Sequence, residues 1–280
     1  MIRAIHHVGI AVQRLREAYR LYRDVFGLPL LKEAEVPDQG VRAALLAAGD
    51  SEIELLEPLG ANSGLGRFLA RHGEGLHHLC FDTPDVGAEL TAVKNKGAEL
   101  IDATPRPGLA GQIGFLHPRA CAGVLVELAT PFEVAGSRAS PARSGPSNIG
   151  PSSGPLNVRP SNAAASGVAG LRLKRLIIGA KEPRATANIF KRLFALPEVA
   201  MNGGPRVMLG VGRGTLLLVP DADVGGLEGL VALSMVADDF DGLLSTFQRV
   251  GTRGVLLGTG EVTLEPVATH GVHLHISKYE

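Results

Sequence analysis

The histidine pair in the run Ile5-His6-His7-Val8-Gly9-Ile10-Ala11-Val12 returns in Leu76-His77-His78-Leu79-Cys80-Phe81. This doubled motif constrains the fold more than any other stretch. Side chains of a strand alternate between two faces. On that count His6, Val8, Ile10 and Val12 share one face of the first run, and His7, Gly9 and Ala11 share the other. The second face sets an imidazole beside residues with almost no side chain, which leaves space in front of it. In the second run Leu79 and Phe81 pack inward, and His78 stands beside the small Cys80. Two histidines at equivalent places of a repeated unit, each facing a hollow, point to a metal site built across a pseudo-twofold axis.

The surrounding elements repeat as well. Residues 2–12 read as a strand. Leu15, Ala18, Tyr19, Tyr22 and Phe26 then fall on one helical face, closed by Gly27 and Pro29. Residues 40–48 and 52–56 read as a hairpin, with a short strand expected over 30–35 and a short helix over 65–71. The second unit has a strand over 76–82, a helix whose apolar stripe is Val86, Leu90 and Val93, and strands over 98–103, 112–116 and 124–130. The expected class is α+β, with paired βαβββ units forming a curved, partly open mixed sheet around a cavity. Residues 1–133 make the first such domain. Residues 134–170 are rich in Ser, Pro, Gly, Ala and Asn without a periodic apolar pattern. They read as a flexible linker with a reach of roughly 30 Å. Beyond Gly170 the pattern returns: 174–197 aligns without gaps to 6–29, and 227–251 to 73–97. Residues 171–280 therefore read as a second copy, and the chain as two tandem domains.

Two carboxylates complete the symmetric site. Glu54 and Glu127 follow His7 and His78 at almost the same interval, and period-2 counting puts both on the face away from the core. A single strand histidine or glutamate is usually structural or solvated. Four at corresponding places of a repeat are a different matter, because an isolated buried carboxylate is costly unless paired or bound to a metal. Two His and two Glu suit an octahedral divalent ion such as Co²⁺, Mn²⁺, Ni²⁺ or Zn²⁺, with two positions left for water or substrate oxygens. His6 and His77, counted onto the opposite face, read as supports.

Composition removes other classes. The 28 basic residues equal the 28 acidic ones, which gives no footing for nucleic acid or an anionic membrane. Cys80 and Cys121 are the only cysteines, too few for a disulfide framework, so a reducing cytoplasm is expected. No apolar run of about 18 residues is present, so no spanning helix is expected; Arg3, His6 and His7 interrupt the first stretch and leave no apolar h-region, so no signal peptide is expected.

Residues 1–133 resemble the methylmalonyl-CoA epimerases of the vicinal oxygen chelate superfamily. The resemblance is carried by 5–12, by Pro37-Asp38-Gln39-Gly40-Val41, by Glu52-Ile53-Glu54-Leu55-Leu56-Glu57-Pro58-Leu59, by Gly73-Glu74-Gly75-Leu76-His77-His78, by Phe115-Leu116-His117-Pro118 and by Gly123-Val124-Leu125-Val126-Glu127-Leu128. It implies metal ligation by His7, Glu54, His78 and Glu127, with Co²⁺ foremost, and epimerisation of an acyl-CoA thioester at C2. Glu127 is the expected acid/base residue. Some relatives place a second carboxylate two residues after the Gln-Gly-Val segment, where this chain has Ala43; Asp38 is a weak substitute. A glyoxalase I-like lyase acting on a glutathione hemithioacetal, and a non-enzymatic small-ligand-binding protein, are the rival readings. In the second copy Arg175, Leu216, Ala232 and His275 stand where His7, Glu54, His78 and Glu127 would be, so it is expected to lack the metal. It is expected to pair with the first copy inside the chain, in a family that otherwise dimerises, the alternative being a homodimer.

Overall fold

The computed structural model of the protein describes residues 1–131, 170–252, 255–256 and 260–279. The linker expected at 134–170 lies, apart from Gly170, outside these residues. The described residues build two eight-stranded sheets of the same topology. In the N-terminal half the strands are β1 (Ala4–Ala11), β2 (Leu30–Val36), β3 (Val41–Ala48), β4 (Ser51–Pro58), β5 (Gly75–Asp82), β6 (Arg106–Gly108), β7 (Gly111–Leu116) and β8 (Val126–Thr130). In the C-terminal half they are β9 (Leu171–Ala180), β10 (Glu198–Val199), β11 (Val207–Val211), β12 (Gly214–Pro220), β13 (Gly229–Ala237), β14 (Val255–Leu256), β15 (Glu261–Leu264) and β16 (His273–Ser277). The orders β2-β3-β4-β1-β5-β8-β7-β6 and β10-β11-β12-β9-β13-β16-β15-β14 are mirror-like about the central pairs β1/β5 and β9/β13. This is the α+β, two-sheet arrangement that the repeat implied.

The helices are α1 (Leu15–Tyr19), α2 (Gly64–His72), α3 (Val86–Asn95), α4 (Pro183–Phe194) and α5 (Phe240–Val250). They cover one face of each sheet, with α2 alone on the other face. α1 continues into a wider π-type turn over Arg20–Val25. That extra width brings Leu21 as well as Tyr22 into the core, beside the predicted stripe of Leu15, Ala18, Tyr19 and Phe26. α3 lies so close to β7 that a Cβ on Gly114 would stand 2.7 Å from Leu90 Cδ1. Val8, Ile10, Ile53 and Leu79 point to this helix-covered face and are fully buried. The opposite face is open, except where α2 closes an apolar wall of Leu65 and Leu69 against Val41, Ala43, Leu45 and Leu56.

One predicted strand is absent. Residues 98–103 make only an isolated bridge, Leu100 to Leu116. The edge of the sheet is β6 instead, which pairs Arg106 with Ile113 and Gly108 with Gly111. Pro107 can occupy an edge strand because its missing N–H is needed by no neighbour there.

The apolar core is continuous through both halves. Phe26 meets Phe247 and Phe81 meets Phe194, with ring centroids 6.0 and 5.0 Å apart. The Tyr22 hydroxyl donates to the Thr269 carbonyl at 2.9 Å across the boundary, away from water. Tyr22→Phe leaves that carbonyl without its donor, so a loss of about 1–2 kcal/mol is expected in a urea melt. An unchanged midpoint would show that the bond couples nothing.

Candidate metal centre

β1 and β5 lie side by side in the middle of the sheet, with β4 outside β1 and β8 outside β5. Each of these four strands sends one polar side chain to the open face. Gly9 is opposite both Glu54 and His78 in the ladders, and Cys80 is opposite both His7 and Glu127. The two halves of the site are therefore related by the pseudo-twofold between β1 and β5. Gly9 is needed by contact: a Cβ there would stand 2.2 Å from His78 Cε1. Cys80 plays the corresponding part beneath His7, a small residue under an imidazole. Burial pushes its thiol up to about 12, so it is uncharged at neutral pH.

The structure brings all four sequence-selected residues together. His7, Glu54, His78 and Glu127 retain 0, 6, 2 and 4 % of their exposure, so none is solvated in the ordinary way. The two Nε2 atoms are 2.9 Å apart. Glu54 Oε2 is 3.4 Å from His7 Nε2 and 3.3 Å from His78 Nε2. Glu127 Oε2 is 3.5 and 3.1 Å from the same atoms. With metal–ligand bonds of about 2.1 Å, ligands at right angles stand about 3.0 Å apart. The spacings match that value, and nitrogen plus carboxylate donors suit a borderline divalent ion, so the residues present fit the group the superfamily implies.

His6 and His77 are not on the opposite face. The ladder pairs Ile5 with Phe81 and then His7 with Cys80, and pairs Gly9 with His78 and then Ile10 with Leu76. Each histidine is thus the extra residue of a β-bulge, and a bulge re-aims side chains that strict alternation would send away. His6 Nδ1 lies 2.9 Å from His7 Nδ1, and His77 Nδ1 lies 3.1 Å from His78 Nδ1. Burial, and then the neighbouring imidazole, push His6 down to about 4 and His77 down to about 3, so both are neutral. A neutral ring on Nδ1 fixes the orientation of the imidazole whose Nε2 faces the site.

Without a cation the four central groups compensate one another. Burial opposes charge on His7, but Cys80, Glu54 and Glu127 outweigh it and hold the imidazole well above its ordinary value. Burial also opposes charge on His78, and Glu127 and Glu54 overcome it. Burial would raise both carboxyls, yet the two histidines hold Glu54 and Glu127 well below the usual carboxylate range.

A cavity of about 430 Å³ opens beside the cluster, lined by His78, His77, Phe115, Gln39, Phe68 and Arg106 among others. Arg106 was not visible as a site residue in the sequence, where it stands between two prolines and reads as loop. Its Nε donates to Asp102 Oδ1 at 2.9 Å, and its Nη1 is buried without a partner. Its guanidinium carbon lies 5.5 Å from the Phe115 ring centroid. Ala43 belongs to the apolar wall, and Asp38 is exposed on the turn Pro37–Gln39.

The second copy lacks a matching cluster among the described residues. One of its correspondences is corrected by the ladder. Leu217, not Leu216, pairs with Ile177, the equivalent of Gly9, so Leu217 occupies the place of Glu54. Leu216 points to the core, as Ile53 does. No described helix is long and apolar enough to cross a membrane.

Residues 6–116 match the Glyoxalase/Bleomycin resistance protein/Dioxygenase superfamily. The uncharacterized protein YqjC of Bacillus subtilis is 41% identical over 128 residues, which is 45% of this chain and 91% of that protein. The ethylmalonyl-CoA/methylmalonyl-CoA epimerase of Cereibacter sphaeroides is 36% identical over 131 residues, 46% of this chain and 98% of that protein. Over 99% of the chain, and 92% of the other, the fold is that of a variant 4-hydroxymandelate synthase from Streptomyces coelicolor, with TM-score 0.65 at 16% identity. The chain therefore belongs to the glyoxalase/bleomycin resistance protein/dioxygenase superfamily, and its N-terminal half is a homologue of methylmalonyl-CoA epimerase.

Proposed function

We propose that the N-terminal half is a divalent-metal-dependent epimerase that interconverts (2R)- and (2S)-methylmalonyl-CoA. The observation that carries this reading is the buried meeting of His7, Glu54, His78 and Glu127 in a chain that is 36% identical to an epimerase over 131 residues. These four side chains would hold the ion, Co²⁺ foremost, with Mn²⁺, Ni²⁺ or Zn²⁺ as alternatives. When bound, the ion supplies Lewis acidity toward the substrate oxygens on which charge builds as the C2 proton leaves.

The chain supplies the rest. Glu127 is ionised across the neutral range and is the group that takes up and returns the C2 proton. Inversion also needs a proton from the opposite face, and Ala43 offers none; water or a second group lining the cavity completes the exchange. The apolar wall around Leu56 and Leu65 keeps bulk water from one side of the site. Arg67, Arg71 and Arg106 line the cavity and offer cationic partners for the phosphates of a coenzyme A thioester.

The deciding experiment reconstitutes the protein with Co²⁺ and supplies (2S)-methylmalonyl-CoA in D₂O. Deuterium entering C2 is the expected result. Turnover of a glutathione hemithioacetal alone would make the protein a lyase, and turnover of neither would remove the enzyme reading.

The raised pKa values of His7 and His78 give a further expectation. Without the ion these imidazoles keep their protons above pH 6.5, whereas an ion binds only neutral imidazole. Metal binding near pH 7 should therefore release protons, and affinity should fall as pH falls. Calorimetric titration in buffers of different ionisation enthalpy reads the release directly; a heat independent of buffer would refute it.

A further inference from the structure

The cross-strand row that carries His7 and Glu127, half of the metal cluster, has a counterpart in the second copy, and its chemistry is inverted. In the N-terminal sheet the cross-strand row is Glu52, His7, Cys80, Glu127 and Phe115. In the C-terminal sheet the same row is Thr215, Arg175, Ser234, His275 and Thr263. Every carboxylate has gone from the row, and hydrogen-bond donors have taken its place. Arg175 occupies the position of His7. Its Nε donates to Thr215 Oγ1 at 3.2 Å, and among the described residues no carboxylate lies within ion-pair distance of its guanidinium. His275 Nδ1 is 3.3 Å from Thr263 Oγ1, and Ser234 is buried between Arg175 and His275 in the ladder. Glu261 lies near the end of the row, with Oε1 3.9 Å from His275 Nε2 and its side chain 41 % exposed.

Arg175 does not face an empty surface. A cavity of about 930 Å³ opens between the two halves, and Arg175 and Thr215 line it together with Arg3, Arg172, Lys174 and Arg213. Its two acids are already engaged, Asp50 by Arg213 at 3.0 Å and Asp82 by Arg3 at 2.5 Å. Arg175 is half-buried, and a guanidinium partly withdrawn from water without a counter-charge is disfavoured, which lowers its pKa. An oxyanion offsets that cost, because guanidinium nitrogens bind phosphate and carboxylate through paired, charge-assisted hydrogen bonds.

We propose that Arg175, with Thr215 beside it, binds the phosphate or carboxylate group of a small anionic ligand lodged in the cleft between the halves. The site is separate from the His7 cluster and stands whether or not the epimerase reading holds. The test uses the full chain after treatment with a chelator, so that no ion in the N-terminal cluster contributes. Inorganic phosphate and acetate are titrated separately by calorimetry at constant ionic strength, which also tells a tetrahedral from a planar anion. Saturable binding of either is expected, weakened at least about tenfold by Arg175→Gln and less by Arg175→Lys. No saturable heat with either anion, or equal affinity in Arg175→Gln, overturns the proposal. Should the variants fail to fold, amide exchange of the unaltered chain decides. Slowing in Leu171–Ala180 and Gly214–Pro220 on adding the anion supports the site; slowing confined to the N-terminal sheet, or none, removes it.

Discussion

Glu127→Gln is expected to lower C2 proton exchange on methylmalonyl-CoA by between about 10²- and 10⁴-fold at saturating Co²⁺. The substitution keeps the shape of the side chain and removes its charge and its basicity. Because Glu127 Oε2 lies 3.5 and 3.1 Å from the two Nε2 atoms, the loss falls on the centre of the cluster rather than its edge. Weaker metal binding alone could mimic the effect, and the pseudo-symmetry of the site supplies the control. Glu54 sits in the mirrored position, 3.4 and 3.3 Å from the same nitrogens. Glu54→Gln should weaken the ion comparably, since it removes the same charge at the same distance. With the ion saturating it should retain far more exchange, because only Glu127 is assigned the proton. Exchange followed by proton NMR on both variants separates the roles. If Glu54→Gln is as inactive as Glu127→Gln under saturation, the assignment of Glu127 as the base fails.

Gly9→Ala should damage the site as severely without touching a ligand. The added methyl would stand 2.2 Å from Cε1 and 2.4 Å from Nδ1 of His78, closer than real Cβ atoms approach. The ring cannot retreat freely, since its Nδ1 is held by His77 and its edge packs on Phe115 at a centroid distance of 5.6 Å. The imidazole must therefore tilt away from the point where the four side chains meet. Metal affinity is expected to drop about 10- to 100-fold, as when a ligand's orientation is lost. Overpacking should also destabilise the fold by about 1–3 kcal/mol. Gly64→Ala is the matching control, because a Cβ there meets nothing within 4 Å. A Co²⁺ titration and a thermal melt of both variants read the contrast. Wild-type affinity in Gly9→Ala would mean that the site does not depend on this close approach.

The four central residues were legible because each rule that reveals them is local. Strand alternation places His7, Glu54, His78 and Glu127 on one side of their strands, and repetition pairs them. What stayed hidden depends on how strands meet. A bulge is a property of two strands in register, so nothing within residues 5–8 or 76–79 marks His6 and His77 as extra residues. In the second copy, Leu216, Leu217 and Leu218 are chemically identical. Without a polar residue to break the run, sequence counting slipped by one, and only the pairing of Leu217 with Ile177 fixed which leucine faces outward. Arg106 was missed for a third reason: its strand is three residues long and contains a proline, and it exists because β7 offers an edge to pair with.

The aromatic pairs that join the halves, Phe26 with Phe247 and Phe81 with Phe194, bear on what the C-terminal sheet does for the N-terminal one. The C-terminal sheet roofs over hydrocarbon which would otherwise meet solvent, through aromatic rings on its helix-covered side. Its open side carries none of that apolar seam, so polar substitutions there should leave the joint between the halves intact.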